Sequence, residues 1–203
     1  VCANNVVRGV GRAVYTQALN TRGGIECDFT VTQTGEHSFF IVTGTAFGTH
    51  DLGWLKKQRR ELDYPEVQLD DVTGAYACFG LWGPKAPEIL SGITPTDVSN
   101  EAFHFMHSRE ITVGDIPVRA TRITYVGELG WEMYVSTEYG AALWQVLLDA
   151  GTPHQLMACG YKAIDSLRLE KGYRAWGGEI NSETSPWEAG LGFAVALGKE
   201  KFI

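Results

Sequence analysis

The chain has 203 residues, of which 44% are hydrophobic and 20% are charged, the composition of an ordinary globular protein. Its 17 Lys and Arg residues against 24 Asp and Glu residues give a formal net charge of −7. An acidic chain without a basic run is a poor match for nucleic acid or for an anionic membrane surface. No apolar run is long enough for a transmembrane helix, so we expect neither partner.

The ends of the chain and its cysteines bear on its context. The first residue is Val1 rather than Met, and the last segment, GKEKFI, carries no terminal signal, so we interpret the chain as an excerpt of a longer polypeptide. The four cysteines show no CxxC or zinc-type spacing. Scattered cysteines are typical of free thiols in a reducing compartment, which predicts a cytoplasmic location or, in a eukaryote, the mitochondrial matrix.

The first part of the chain is predicted to be rich in strands. Runs of β-branched and aromatic residues between turn signals predict strands at 13–20, 25–33 and 37–43, and two more within 68–82. Helices are predicted at 45–62 and 85–91.

The second part mixes both element types. Strands are predicted within 103–111, 116–126, 130–135 and 193–197, and helices at 139–150 and 160–171. Because strands and helices do not alternate regularly, we predict an α+β fold in two lobes, 1–90 and 91–203, with the boundary within 81–100.

Asp28 is conspicuous in the strand predicted at 25–33. Cys27, Phe29 and Val31 face one side of this strand, whereas Asp28 faces the other. Aspartate is disfavoured in strands, so its side chain faces either water or a cleft. In a cleft it would hydrogen-bond a ligand amine and direct the amine lone pair towards an electrophile.

Glu128 lies between Gly127 and Gly130 in a predicted turn. A carboxylate matches two parallel N–H donors, such as the edge of a pterin, and glycines let a flat ligand come close. Tyr125 would lay its ring beside such a ligand. The alternatives are an exposed turn glutamate and a half-buried strand tyrosine.

Arg168 lies on an amphipathic helix, in line with Ile164, Leu167 and Lys171. Its guanidinium group would suit the carboxylate tail of a ligand. The alternative is an ion pair with Asp165, three residues earlier on the same helix.

Several common chemistries lack their motifs in this chain. There is no GxSxG elbow and no Walker A loop, and the two GxG pairs lack the third glycine of a dinucleotide fingerprint. His104 and His107 have HxxH spacing, but on a strand this odd separation would place them on opposite faces. The sequence therefore predicts no metal site.

Several segments together resemble the folate-binding domain of the glycine cleavage T-protein (aminomethyltransferase) family. The run DSLRLE at 165–170 and the segment SPWEAGL at 185–191 match that domain. TYVGELGWEMYV resembles the family signature Y-T-G-E-x-G-x-E, LWGPKA its Q-G-P-x-A turn, and ALNTRGGIECDFTV its N-x-x-G-G-I-x-D-D segment. The resemblance covers nearly the whole chain.

Two details resemble the folate domains fused to flavoprotein demethylases, such as dimethylglycine and sarcosine dehydrogenases. These are VGELGWE in the signature and KGYRAWGGEI after the helix. The resemblance implies a clover-leaf fold around a tetrahydrofolate channel, of which two lobes are present here and a third is missing. It also implies FAD only through an upstream domain outside this chain.

The resemblance assigns roles by position. Asp28 matches the aspartate that positions the reactive folate nitrogens, Glu128 the glutamate that binds the pterin edge, and Tyr125 the tyrosine of the signature. Arg168 matches an arginine expected near the folate. One departure is Cys27, which stands where the family often has the first of two aspartates.

The resemblance therefore implies tetrahydrofolate-dependent transfer of a one-carbon unit, with 5,10-methylenetetrahydrofolate as product, and a small amine and folate as partners. A flavoprotein domain in the same polypeptide is a further expected partner. The alternatives are a non-catalytic regulatory or structural homologue and a folate-dependent demethylase of another small substrate.

Overall fold

The computed structural model describes residues 1–200 and 202. It divides into two compact units. The first unit comprises Val1–Asp71 together with Arg174–Ile203, and the second unit comprises Val72–Tyr173. No helix in the described residues is long and apolar enough to cross a membrane.

The first unit is built on an antiparallel sheet with the strand order β1-β2-β3. Its elements are β1 (Ala13–Leu19), β2 (Ile25–Gln33), β3 (Phe39–Thr43), helix α1 (Gly48–Glu61) and a 3-10 turn (Gly192–Ala194). In the β1–β2 register, Gln17 lies opposite Asp28 and Ala18 lies opposite Cys27. β3 pairs only with the second half of β2, from Phe29 onwards.

Two apolar clusters pack against this sheet. Ala18, Cys27, Phe29 and Val31 pack with Trp54 of α1 on one face. A second cluster joins Ile25 to Ile180, Ala189 and Leu191, so the C-terminal segment belongs to the first unit.

The second unit contains an antiparallel sheet with the strand order β4-β7-β6-β5. Its strands are β4 (Tyr76–Trp82), β5 (Ser108–Val113), β6 (Ile116–Thr121) and β7 (Gly130–Ser136). Its helices are α2 (Ala86–Ser91), α3 (Gly140–Gly151) and α4 (Tyr161–Glu170), with 3-10 turns at Thr73–Ala75, Thr137–Tyr139 and Thr152–His154.

The core of the second unit lies between this sheet and its helices. Alternate residues of β7, Trp131, Met133 and Val135, are almost completely buried and pack with Leu90 of α2 and Leu143 of α3. The opposite face of β7 carries Glu132 and Tyr134, as the period of two along a strand requires.

The predicted mixture of helices and strands is confirmed, and the strand predicted at 25–33 has these bounds. Three strand predictions are wrong. Residues 68–75 form no strand, because Val72 and Ala75 close a turn by hydrogen bonding before β4 begins. Residues 103–107 turn at Met106, whose φ is +60°. Residues 193–197 form no strand, because the amides of Ala194 and Val195 bond back to Leu191 and Gly192.

The bounds of the two compact units differ from the lobes predicted at 1–90 and 91–203. β4 pairs with β7 along its whole length, so residues 76–82 belong to the second unit. The segment after Tyr173 returns to the first unit, where Trp176 Nε1 donates to the Ile25 carbonyl at 2.9 Å. Both differences between the predicted and the observed bounds arise from contacts between residues far apart in sequence.

Candidate functional site

Asp28 lies on the polar face of β2, half-buried, as the alternation predicts. Gln17 on the neighbouring strand donates from Nε2 to Asp28 Oδ1 at 3.4 Å, and the Tyr15 side chain also hydrogen-bonds the carboxylate. Burial raises the pKa of Asp28 to about 6, although the bonds from Tyr15 and Gln17 act in the opposite direction. Asp28 is thus a partly desolvated carboxylate held in one orientation.

Gln17 is the buried partner of this carboxylate, with a side chain exposed by 0%. Its Oε1 atom has no hydrogen-bond partner within the described part of the chain. A buried amide oxygen without a donor is costly, typically about 1–3 kcal/mol. Asp28, the half-buried member of the pair, is therefore the one whose carboxylate can accept from an N–H donor, while the fully buried Gln17 holds it.

Cys27, next to Asp28, points to the opposite face and is 1% exposed. Burial, reinforced by the nearby Asp51 carboxylate, raises the pKa of its thiol far above the ordinary range. The predicted division of this strand between a buried Cys27 and a polar Asp28 is confirmed.

Glu128 is an exposed residue in the connection between β6 and β7. Its Oε1 atom is 3.7 Å from Lys171 Nζ, just beyond the end of α4. Gly127 has a φ of +74°, and a Cβ atom there would lie 2.3 Å from Lys171 Cγ. Glycine at 127 therefore serves both the turn and the close approach of the Lys171 side chain.

A cavity of about 190 Å³ opens beside this turn. Its lining consists of Phe105, Arg122, Ile123, Thr124, Gly127, Glu128, Leu129 and Gly130. Arg122 is the buried cation of this lining, and its guanidinium group donates to the Phe103 carbonyl and to Asn100 Oδ1. The cavity thus combines a fixed cation, an exposed carboxylate and apolar walls.

Arg168 is only 5% exposed although it lies on α4. Its Nε and Nη2 atoms lie 2.8 Å and 2.7 Å from Asp165 Oδ1, so the local ion pair considered from the sequence is present. Its Nη1 atom donates to the Tyr173 carbonyl at 3.0 Å. The Tyr173 ring in turn stacks on Tyr125, with centroids 6.1 Å apart and planes at 17°.

Three of the four predicted site residues, Tyr125, Glu128 and Arg168, lie in the second unit and contact the end of α4 and the residues that follow it. The fourth, Asp28, lies in the first unit. Gln17 and Tyr173 were not predicted as site residues. Gln17 had a signal in the sequence, because it is a polar residue within a strand-like run.

A half-buried acid, Glu132, was also not predicted as a site residue. Glu132 on β7 accepts a hydrogen bond from the Tyr134 hydroxyl. Burial raises the pKa of Glu132, and the bond from Tyr134 counteracts part of this effect. Glu132 occupies the last glutamate position of the signature that TYVGELGWEMYV resembles.

The two histidines of the HxxH pair lie in a turn rather than on a strand. Their ring centroids are 5.4 Å apart, so the predicted placement on opposite faces is wrong. The arrangement with metal-ligand geometry in the described residues is a different one, formed by Cys27, His50 and Asp51.

Residues 1–199 match the family described as the GCVT N-terminal domain. The chain belongs to this family. It is 37% identical over 195 residues to mitochondrial dimethylglycine dehydrogenase of Mus musculus, covering 96% of this chain and 22% of that protein. It is also 35% identical over 191 residues to the aminomethyltransferase of Symbiobacterium thermophilum, covering 94% of this chain and 51% of that protein.

The fold agrees with this membership. The crystal structure of the glycine cleavage system aminomethyltransferase T from Bartonella henselae matches with a TM-score of 0.78 and 26% identity, over 97% of this chain and 51% of that one. The predicted aminomethyltransferase-like α+β fold is thereby confirmed. The chain spans about a fifth of the length of the dehydrogenase and about half that of the aminomethyltransferases. It is an enzyme-like domain related to both.

Proposed function

We propose that this chain binds tetrahydrofolate and transfers a one-carbon unit to it, giving 5,10-methylenetetrahydrofolate. The observation that carries the proposal is the Asp28 carboxylate, which is half-buried on the polar face of β2 and is held by the fully buried Gln17 side chain. Relatives named aminomethyltransferase and dimethylglycine dehydrogenase support the same reading.

The residues present fit a folate in each unit taken separately. In the second unit, Glu128 lines a cavity at a glycine-bearing turn, where a flat ring with two N–H donors can approach a carboxylate. In the first unit, the half-buried Asp28 carboxylate is held in place by Gln17. Both features present oxygen acceptors, which suits the N–H groups of a reduced pterin.

When bound, tetrahydrofolate supplies the nitrogens that capture a carbon at the oxidation level of formaldehyde. The contribution of the chain is to orient and to exclude water. Asp28 accepts a hydrogen bond from the amine and directs its lone pair, while Gln17 holds the carboxylate in place. Glu128 binds the pterin edge, Tyr125 flanks the ring, and Arg168 lies near the folate and fixes Tyr173.

Orientation of this kind is a large effect, because well-aligned reactants can gain about 7–11 kcal/mol over a bimolecular encounter. Asp28 has two side-chain hydrogen-bond partners, Tyr15 and Gln17, and lies within a paired strand, so its carboxylate has little rotational freedom. We therefore assign to Asp28 the aiming of the reactive amine, and to Glu128 and Arg168 the holding of the ligand.

The donor of the carbon is proposed to be a small N-methylated amine, the class of substrate that the name dimethylglycine dehydrogenase implies, oxidised by a flavin domain elsewhere in the polypeptide. FAD would then belong to that domain, not to this chain. The proposed location is the cytoplasm or, in a eukaryote, the mitochondrial matrix, as in the mitochondrial relatives.

Two measurements test the proposal. Titration with tetrahydrofolate should quench the fluorescence of the six Trp residues with a midpoint in the micromolar range. With tetrahydrofolate and formaldehyde, the chain should form 5,10-methylenetetrahydrofolate faster than the uncatalysed reaction does. Asp28→Ala should keep the binding midpoint and lose the acceleration.

The matched control is Asp115→Ala, which removes an exposed aspartate in the β5–β6 turn and should change neither measurement. Absence of tetrahydrofolate binding by the parent chain would refute the proposed function. Unchanged acceleration by Asp28→Ala would remove Asp28 from the mechanism. Tetrahydrofolate binding without any acceleration in the parent chain would instead favour the alternative of a regulatory homologue.

A further inference from the structure

Three side chains with metal-ligating atoms meet in the first unit, on the face of the sheet opposite Asp28. They are Cys27 of β2 and the consecutive residues His50 and Asp51 in the first turn of α1. Their ligating atoms all lie within 4.8 Å of one another. Cys27 and Asp51 are buried, while the His50 side chain is 43% exposed.

The fold explains why these residues meet. β3 pairs with the edge of β2 only from Phe29 onwards, so the chain leaves the sheet beside Thr43 and begins α1 near the half of β2 that carries Cys27. The start of α1 lies there, held by the Thr43 hydroxyl, which donates to Asp51 Oδ2. The amino end of a helix carries partial positive charge, which stabilises the Asp51 carboxylate in its first turn.

The surrounding contacts orient each ligand. The bond from Thr43 occupies Asp51 Oδ2 and leaves Oδ1 facing His50 Nδ1 at 2.9 Å. The other ring nitrogen, Nε2, lies 3.6 Å from Glu26 Oε1. Glu26 thus contacts the His50 ring and Thr43 contacts the Asp51 carboxylate. Outer contacts of this kind hold metal ligands in place.

We propose that Cys27, His50 and Asp51 form a binding site for a divalent transition metal ion of the Zn²⁺ type. One thiolate, one imidazole and one carboxylate form a mixed ligand set that suits Zn²⁺ and excludes the hard ions Mg²⁺ and Ca²⁺. Binding forms bonds from Sγ, His50 Nδ1 and an Asp51 oxygen, and the thiol proton is released to solvent. The fourth position is left for water or a small ligand.

The distances are compatible with such an ion. Zinc bonds of about 2.0–2.3 Å place ligand atoms less than about 4 Å apart, so shifts of about an ångström bring the three atoms into range. His50 is the side chain with room to move, because it is the exposed member. Its ring lies 5.4 Å from the Trp176 ring, which places an indole close to the site.

The experiment uses the 203-residue chain, freed of metal with a chelator and titrated with Co²⁺ as a spectroscopic substitute for Zn²⁺. We expect one Co²⁺ per chain, a near-ultraviolet sulfur-to-cobalt charge-transfer band, and loss of the band when Zn²⁺ displaces Co²⁺. Cys27→Ser should abolish the band. Removal of the outer carboxylate by Glu26→Gln should weaken Co²⁺ binding about 10-fold.

Controls separate this site from exposed thiols. Cys78→Ser and Cys159→Ser remove exposed cysteines and should leave the band unchanged. No band in the parent chain, or a band that survives Cys27→Ser, would overturn the proposal and leave a hydrogen-bonded cluster. Far-ultraviolet circular dichroism checks that each variant is folded. If Cys27→Ser is unfolded, His50→Ala decides, because unchanged Co²⁺ affinity in that variant would also overturn the site.

Discussion

Replacing Arg168 with alanine removes a hydrogen bond, an ion pair and a buried side chain at once. The bond from Nη1 to the Tyr173 carbonyl comes from a charged group and is worth about 1.5–3 kcal/mol. The ion pair adds about 1 kcal/mol or less, because the Asp165 side chain is 53% exposed. Loss of the buried hydrocarbon stem adds about another 1 kcal/mol.

Arg168→Ala should therefore lower the free energy of unfolding by about 2.5–5 kcal/mol. Asp165→Asn removes only the ion pair and should cost about 1 kcal/mol or less, with most of that loss disappearing in high salt. Arg168→Lys keeps the charge but not the planar fork, so its cost should fall between the two.

The assay is urea unfolding followed by Trp fluorescence and circular dichroism, for the parent and the three variants. A second readout is the tetrahydrofolate midpoint, which should weaken in Arg168→Ala because Tyr173 loses its anchor and the stack on Tyr125 loosens. Equal losses for Asp165→Asn and Arg168→Ala would refute the reasoning, since the Tyr173 bond would then contribute nothing.

Three further substitutions test the fold and its electrostatics. Glu132→Gln should gain stability over the parent as the pH rises above about 4.3, the ordinary glutamate pKa. Burial raises the pKa of Glu132, so the folded parent holds this proton more tightly than the unfolded chain does, and the parent loses stability as the pH rises from the unfolded pKa to the folded pKa. A difference in unfolding free energy between variant and parent that stays constant with pH would contradict this. Gly127→Ala should lower the free energy of unfolding more than Gly114→Ala, as measured by urea unfolding. Alanine at a positive φ costs about 1–2 kcal/mol at either position, but only at 127 does the new Cβ atom lie 2.3 Å from another side chain. Equal costs would show that the side chain yields freely. Leu143→Ala should cost about 2–5 kcal/mol, because this leucine is 0% exposed, whereas Leu169→Ala, at 53% exposure, should stay within about 0.5 kcal/mol; similar losses would contradict the assigned core.

Local patterns account for the elements that were predicted. The strand at 25–33 is identified by its alternation, which also places Asp28 on the polar face and Cys27 in the core. α4 follows from its helical periodicity, and the pair between Arg168 and Asp165 follows from their spacing of three. These properties depend on residues within one or two turns, so a single segment is enough to reveal them.

The strand predictions failed where an apolar segment forms a turn instead of pairing with a neighbouring strand. Residues 193–197 are apolar enough for a strand, but in the structure their amides bond within a turn instead of to a neighbouring strand. β propensity reflects fit to a partner surface, and the presence of that partner is decided elsewhere in the chain.

Family resemblance extended the local patterns to function. Taken alone, the local patterns at Glu128 and Tyr125 fit an exposed turn glutamate and a strand tyrosine as well as they fit folate contacts, and Glu128 is indeed exposed. The motifs around them indicated the family to which the chain belongs. Their roles towards folate stay predictions, with the binding experiments as their test.

By itself, the sequence determined the α+β class, most elements, the family and the faces of the strand at 25–33. Only the tertiary structure placed Gln17 opposite Asp28, Tyr173 on Tyr125, and Cys27 beside His50 and Asp51. It also returned the segment after Tyr173 to the first unit. The physical reason is that periodicity is a property of neighbours along the chain, whereas register, stacking and ligand geometry arise from packing between distant segments.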